Sequence, residues 1–361
     1  MSAVAGWEEQ VRRILVVRFS AIGDIILTLP VVDALHTRFP EAEIEYLTRQ
    51  ENLDLVSHHP GVNRVWPFDR SLGFSELRRL GKILRERKYD LLIDLHQSLR
   101  SIYIRAAVRP HMARSYRKLT LSRRLLELAR WNTLRDAPPV IDRYFTALED
   151  FGVSREGRRP RLSVLDRARE RSAEALLRAG LGEGEGIIVL APGASHPTKR
   201  WPPAAFAAAA LALTPPGSRA VVLGGNSDRE IAAEVGRVMA RSGAAIVDVA
   251  GRLALGESAA VIERASLVIT NDSGLMHMAD ALDRPLVAVF GPTSRELGFY
   301  PTGPRARVAE LPLDCRPCTL HGSDSCRLQH HRCLLELPVE TVVKLAREAM
   351  EEDLNAEAQR H

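Results

Sequence analysis

The sequence predicts an α/β protein built from two doubly wound, Rossmann-like halves, each a parallel sheet flanked by helices. Three observations predict it. Strand and helix patterns alternate through both halves, the order that builds parallel sheets from right-handed crossovers. A polar, Arg/Gly/Pro-rich stretch at 152–160 interrupts the alternation once, near the midpoint of 361 residues. Finally, each half has an apolar strand pattern running into a glycine–aspartate turn and then a helical pattern, RFSAIGD at 18–24 and NDSGLMH at 271–277. Such a turn presents unpaired backbone N–H groups at a helix N-terminus and favours bound anions.

In the first half, residues 13–17 read as a buried strand, and Ile25, Ile26, Leu29, Val32 and Leu35 then recur at helical spacing. Strands are expected at 43–47, 64–66 and 89–95, with an amphipathic helix at 74–87. After the linker, strands at 187–191, 220–224, 245–249, 267–271 and 286–290 alternate with helices at 203–213, 228–241, 256–265 and 274–282. A last amphipathic helix at 339–352 has no strand after it and is available to pack back on the first domain. The expected division is a first domain over 1–160, a second over 161–335, and a terminal helix over 336–361. A chain of this length suits two domains, each with its own core.

The charge balance narrows the partners. The net charge is +5, and the excess is local: Arg105, Arg109, Arg114, Arg117, Lys118, Arg123, Arg124 and Arg130 lie between Arg100 and Arg135, opposed only by Glu127. This is either a solvated Arg-rich surface or an electropositive face for a phosphorylated or membrane-embedded anionic substrate. Nucleic acid is disfavoured, because aromatics make up only 5% of the chain and no stacking or recognition motif accompanies the basic run. No stretch approaches the roughly 18 apolar residues that span a bilayer, so a cytoplasmic location is expected.

Asp24 is the strongest single candidate for chemistry. Gly23 permits a tight turn, and Asp24 follows at the carboxyl end of the first strand, where open α/β sheets bind ligands. It serves there either as a helix N-cap or as a general base for a substrate hydroxyl. The loop APGASHPTKRWP at 191–202 follows the first strand of the second half and combines Ser195 and Thr198 hydroxyls with Lys199, Arg200 and Trp201. That set suits a diphosphate, and it also suits an ordinary surface loop. Ser273 and Gly274 open a helix and can turn their N–H groups to a phosphate, whereas Asp272 would repel a bare diphosphate and suits a sugar hydroxyl or the turn itself. His277 follows one helical turn after Ser273, as a packed core histidine or a ligand contact. Thr293, in FGPT at 290–293, offers another hydroxyl.

All four cysteines, Cys315, Cys318, Cys326 and Cys333, fall in one segment with His321, His330 and His331. Their spacing resembles a metal-ligand set but matches no standard zinc module, so a structural metal, reduced thiols and a conditional disulfide all stay open. No cluster suggests a catalytic metal.

Taken in order, the motifs are R-x-S-x-x-G-D-x-x-x-x-L-P at 18–30, P-G-x-S-x-x-T-K-R-W-P at 192–202, L-G-G at 223–225, N-D-S-G-x-x-H-x-A at 271–279 and F-G-P-T at 290–293. This pattern closely resembles the bacterial lipopolysaccharide heptosyltransferase family (glycosyltransferase family 9), over residues 12–350. The cysteine segment is similar to that of the heptosyltransferase II branch. The resemblance implies a GT-B fold with a cleft between two Rossmann-like domains. It also implies inverting transfer of heptose from ADP-L-glycero-β-D-manno-heptose to the inner core of lipopolysaccharide, with no required cofactor or metal. The implied partners are that donor, a phosphorylated lipid A–Kdo acceptor and the inner-leaflet membrane surface. By position, Asp24 matches the general base, Lys199 the donor-phosphate lysine, Asp272 the aspartate at the donor sugar, and Ser273 and Gly274 the diphosphate contacts. Acceptor contacts are expected from Arg18, Ser20 and Arg100. Three other functions fit the same motifs: a family 9 transferase with another nucleotide sugar, a sugar-nucleotide epimerase, and a non-catalytic nucleotide-sugar sensor.

Overall fold

The computed structural model describes residues 10–358, with side chains to Glu351. The extreme ends of the expected first domain and of the terminal helix lie outside the described residues. In chain order the elements are β1 (Arg13–Val17), α1 (Ile22–Arg38), β2 (Glu43–Arg49), β3 (Arg64–Phe68), α2 (Gly73–Glu86), β4 (Leu91–Asp94), α3 (Leu99–Val108), β5 (Met112–Ser115), α4 (Thr120–Ala129) and α5 (Val140–Phe145). Then follow α6 (Asp166–Arg178), β6 (Gly186–Ala191), α7 (Pro203–Leu213), β7 (Ser218–Val222), α8 (Arg229–Arg241), β8 (Ile246–Asp248), α9 (Leu255–Arg264), β9 (Leu267–Asn271), α10 (Gly274–Ala281), β10 (Leu286–Val289), β11 (Ala306–Ala309), α11 (Arg332–Leu335) and α12 (Val339–Ala358).

The chain forms two compact units, Met1–Leu119 with Pro138–Ser163, and Thr120–Ala137 with Val164–His361. The last crossing, at 163/164, falls just after the expected linker. The excursion at 120–137 was not foreseen: α4 follows β5 of the first sheet in the chain yet packs in the second unit.

The first unit holds a five-stranded parallel sheet of order β3-β2-β1-β4-β5. Its central strand, Ile14–Val17, is fully buried, as a parallel strand covered on both faces must be. Leu15, Val17, Leu47, Phe68, Leu80, Leu84, Leu92 and Ile104 build the core on one face. The second unit holds a six-stranded parallel sheet of order β11-β10-β9-β6-β7-β8. Ile188, Leu190, Ile269, Val287 and Val289 line one face of it, against Phe206, Ala210, Val235 and Met239 from the helices.

Edge strands β5 (MARS) and β11 (ARVA) had no sequence signal, since four residues, mostly half-buried, carry no readable period. The terminal helix α12 lies along α7 and strands β9, β10 and β11. Val342, Val343, Ala346 and Ala349 are buried there. The physical reason is that these strands would otherwise expose an apolar sheet face to water.

Candidate active site

In the first sheet the strand order reverses between β1 and β4, so their carboxyl ends open the crevice where such sheets receive ligands. Two loops meet there. The one after β1 carries Arg18, Ser20 and Asp24, and the one after β4 carries His96 and Gln97. Asp24 is not an N-cap. Ala21 caps α1 and Asp24 is the third residue of the helix, with Oδ2 reached by the Ala21 N–H at 3.4 Å. Its other oxygen is firmly held: Arg18 Nη2 lies 2.8 Å from Oδ1, and Tyr144 on α5 donates its hydroxyl to the same atom at 2.7 Å. Burial pushes the Tyr144 phenol well above its ordinary range, against the opposing pull of Arg18, so it stays a donor.

Arg18 is itself held by several contacts within the fold. It is buried, donates through Nε to Ser20 O at 2.8 Å and through Nη1 to Leu95 O, and faces the Tyr144 ring at 5.5 Å. Burial works against its charge, but Asp24 together with Tyr144, Tyr116 and Tyr46 more than restores it. Ser20 is half-buried, and its carbonyl rather than its hydroxyl is what the structure shows in use.

His96, which carried no sequence signal, stands beside this pair. Its ring meets Phe19 edge-on at 5.3 Å, and its buried Nδ1 has no hydrogen-bond partner among the described residues. Burial, with Arg18 next, pushes its pKa down to about 3, so the imidazole is neutral near pH 7. Asp94 Oδ1 fixes the loop by accepting from the N–H groups of His96 and Gln97 at 2.9 and 2.8 Å.

Arg100 is exposed and shares its electrostatic environment with two arginines that sequence reasoning missed. Burial lowers the pKa of Arg49, and Arg70 and Arg100 lower it further against Glu51.

In the second sheet the order reverses between β6 and β9, and again two loops meet. Lys199 Nζ lies 2.7 Å from Asp272 Oδ2, and Thr293 donates to the same oxygen at 2.7 Å. All three residues are buried. Ser273 is the N-cap of α10, with Oγ 3.2 Å from Thr270 Oγ1, and Gly274 is the first helical residue. His277 is buried, its ring 6.5 Å from that of Phe299. Ser195 is exposed on the Lys199 loop. The buried Thr198 hydroxyl donates to Ser323 O at 2.8 Å and accepts from Ser323 N–H at 2.8 Å, which ties two loops together.

Asn271, quoted only as part of a motif, joins the two loops of this site. Its Oδ1 accepts from Trp201 N–H at 3.0 Å and its Nδ2 donates to Pro192 O at 2.8 Å. At Gly193 a Cβ would come within 2.3 Å of the Asp228 carboxylate, which explains the glycine there.

The cysteine segment also supports this site. Cys315, Cys318, Cys326 and Cys333 are free thiols, and among the described residues no group of His, Cys, Asp and Glu is arranged to hold a metal ion. Arg316 donates to Thr293 O at 2.6 Å, the Cys318 N–H to Pro292 O at 2.9 Å, and His331 Nε2 lies 2.9 Å from Thr198 O. Gly322 has φ +95°, and a Cβ on it would sit 2.9 Å from Lys199 Cδ. The segment thus clasps the Lys199 loop from outside.

Comparison with known proteins identifies relatives of the whole chain. The profile of glycosyltransferase family 9 (heptosyltransferase) matches residues 77–328. Lipopolysaccharide heptosyltransferase 2 of Salmonella typhimurium is 31% identical over 316 residues, covering 83% of this chain and 88% of that protein. Among solved structures, Escherichia coli ADP-heptose LPS heptosyltransferase II superimposes with TM-score 0.75 at 26% identity, covering 94% of this chain and 99% of that one. A family 9 glycosyltransferase from Veillonella parvula shares the fold, with TM-score 0.80 at 23% identity over 94% of this chain and 98% of that one.

Two outcomes are expected from the site's construction. Because the folded pKa of His96 lies below the unfolded value of about 6.5, the unfolded chain takes up the proton first as pH falls. Stability therefore drops from about pH 6.5 towards pH 3, and His59, also lowered by burial, adds in the same direction. Urea unfolding at stepped pH should give a shallower acid loss for His96→Gln than for wild type. Gly322→Ala should cost about 1–3 kcal/mol in urea unfolding from its left-handed backbone.

Proposed function

The chain belongs to glycosyltransferase family 9, the heptosyltransferases, and from that premise we propose that it moves a heptose from ADP-L-glycero-β-D-manno-heptose to the phosphorylated lipid A–Kdo inner core of lipopolysaccharide, inverting the anomeric centre. The reading places the reaction on the cytoplasmic side of the inner membrane. No helix of the described residues is long and apolar enough to cross a bilayer, so the acceptor would be met at the membrane surface.

The observation that carries the reading is Asp24, a partly exposed carboxylate fixed at the carboxyl end of β1 by Arg18 and Tyr144. Held in direction by those two donors, the Asp24 carboxylate is suited to take the proton of the acceptor hydroxyl. The acceptor oxygen then bonds to the anomeric carbon as the bond to the ADP oxygen breaks on the opposite face. Negative charge grows on the leaving diphosphate, where Lys199 and the helix start at Ser273 and Gly274 stabilise it. Asp272 would hold Lys199 in place and accept from a sugar hydroxyl, with Thr293 fixing its orientation. This cation and these dipoles supply the charge stabilisation a divalent metal would otherwise give. The arginines at 49, 70 and 100 are suited to acceptor phosphate or carboxylate groups.

Asp24→Asn should slow transfer by at least about 100-fold while leaving ADP affinity near wild type; near-normal turnover would remove Asp24 from the role of base. Lys199→Ala should weaken ADP binding as well as turnover, and unchanged affinity by calorimetry would overturn its phosphate role. Both are read with ADP-heptose and Kdo-lipid acceptors carrying zero, one or two heptoses, with products identified by mass. Transfer from another nucleotide sugar alone, release of an epimer without acceptor, or ADP binding without transfer would favour the other transferase, epimerase and sensor readings respectively.

A further inference from the structure

The loop after β4 is fixed by three side chains. Asp94 Oδ1 accepts from the N–H groups of His96 and Gln97 at 2.9 and 2.8 Å. Lys118 Nζ donates to the carbonyls of the same two residues at 3.4 and 3.1 Å. Gln97 has φ +51°, in the left-handed region that costs free energy for any residue but glycine. Its own side chain donates to Tyr116 O, which helps to hold that conformation. The product is a rigid loop with one unused polar group, the His96 imidazole.

Neither ring nitrogen of His96 has a hydrogen-bond partner among the described residues. Only Nδ1 is enclosed, on a ring that is half-buried, so Nε2 is the nitrogen a ligand reaches. A polar ring left unpaired in a ligand crevice costs free energy that a bound partner recovers. The crevice is that of Asp24. Beyond burial, the groups that act on the ring's charge are Arg18, Asp24, Lys118 and Arg49. Phe19 packs edge-on against the ring at 5.3 Å and against Phe68 at 5.1 Å, which fixes its tilt.

A neutral imidazole carries one N–H and one lone pair. With Nδ1 unengaged, no hydrogen bond within the fold selects the tautomer, so Nε2 is free to donate or to accept. A hydroxyl fits both tautomers, whereas a carboxylate or phosphate only accepts. The neutral ring also adds no second cation beside Arg18, where one would weaken Asp24 as a base. We propose that His96 Nε2 hydrogen-bonds a hydroxyl of the acceptor sugar next to the one that attacks, and so turns the nucleophilic oxygen toward Asp24. This contact rests on the reading of Asp24 as the base, and it gives the site a group selective for a neutral hydroxyl.

The test uses the full chain with ADP-heptose and deacylated, water-soluble Kdo acceptors carrying zero, one or two heptoses. His96→Ala should raise the acceptor KM about fivefold to tenfold and lower kcat, with ADP affinity by calorimetry unchanged. Glutamine places its amide where Nε2 stands and asparagine where Nδ1 stands. His96→Gln should therefore recover most of the loss and His96→Asn little, a split that a merely structural ring would not produce. An acceptor lacking the neighbouring hydroxyl should cost wild type the same factor and His96→Ala nothing further. A second measurement depends neither on turnover nor on the folding of the alanine variant. With the histidine ring nitrogens isotopically labelled, acceptor added in the presence of ADP should move one Nε2 resonance of wild type, the one missing from His96→Gln. An unchanged acceptor KM in His96→Ala, equal rescue by Asn and Gln, or an unmoved His96 resonance would each overturn the proposal. A moved resonance in a wild type that transfers no heptose would instead overturn the transferase reading and leave the contact standing.

Discussion

Parallel strands impose the constraint on which both units depend. A strand that must be followed by a crossover sends every connection over one edge of the sheet, and the loops part where the strand order reverses. In the first unit that point lies between β1 and β4, and in the second between β6 and β9. Asp24 with Arg18 and His96 occupies the first, and Lys199 with Asp272 occupies the second. Residues as distant in sequence as Lys199 and Asp272 come within 2.7 Å because neighbouring parallel strands deliver them to the same edge.

The two switch points are built by the same logic and filled differently. In the first, a buried arginine and a tyrosine grip one oxygen of a carboxylate, so the charge is fixed in direction. In the second, a carboxylate grips a lysine, so it is the cation that is fixed. Fixing a charge before the substrate arrives removes reorganisation from the reaction step. Both pairs are costly to half-dismantle, since removing one partner leaves the other charge with its desolvation uncompensated.

The cysteine segment gains a role that its composition disguised. Cysteine and histidine spacing pointed to metal ligands, thiols or a disulfide. In the structure the backbone and neighbours of those cysteines do the work: Arg316, Gly322, Ser323 and His331 hold the Lys199 loop and Thr293. The same segment seats α4.

The sequence alone determined the two-sheet α/β architecture, nearly all the central strands, and the turns at Asp24, Lys199 and Asp272. Each of these has a local cause that a sequence displays: an apolar run, a glycine at a tight turn, a helical period after it. Tertiary structure decided the rest. Tyr144 lies 120 residues from Asp24 and its hydroxyl is aimed by the packing of α5. Arg18 meets Asp24, and Thr198 meets Ser323, through contacts that packing sets. The four-residue edge strands, the capture of α4 by the second unit and the seat of α12 depend on which apolar surfaces remain uncovered. Local pattern records what one segment needs; which distant segment meets that need is set by the assembled core.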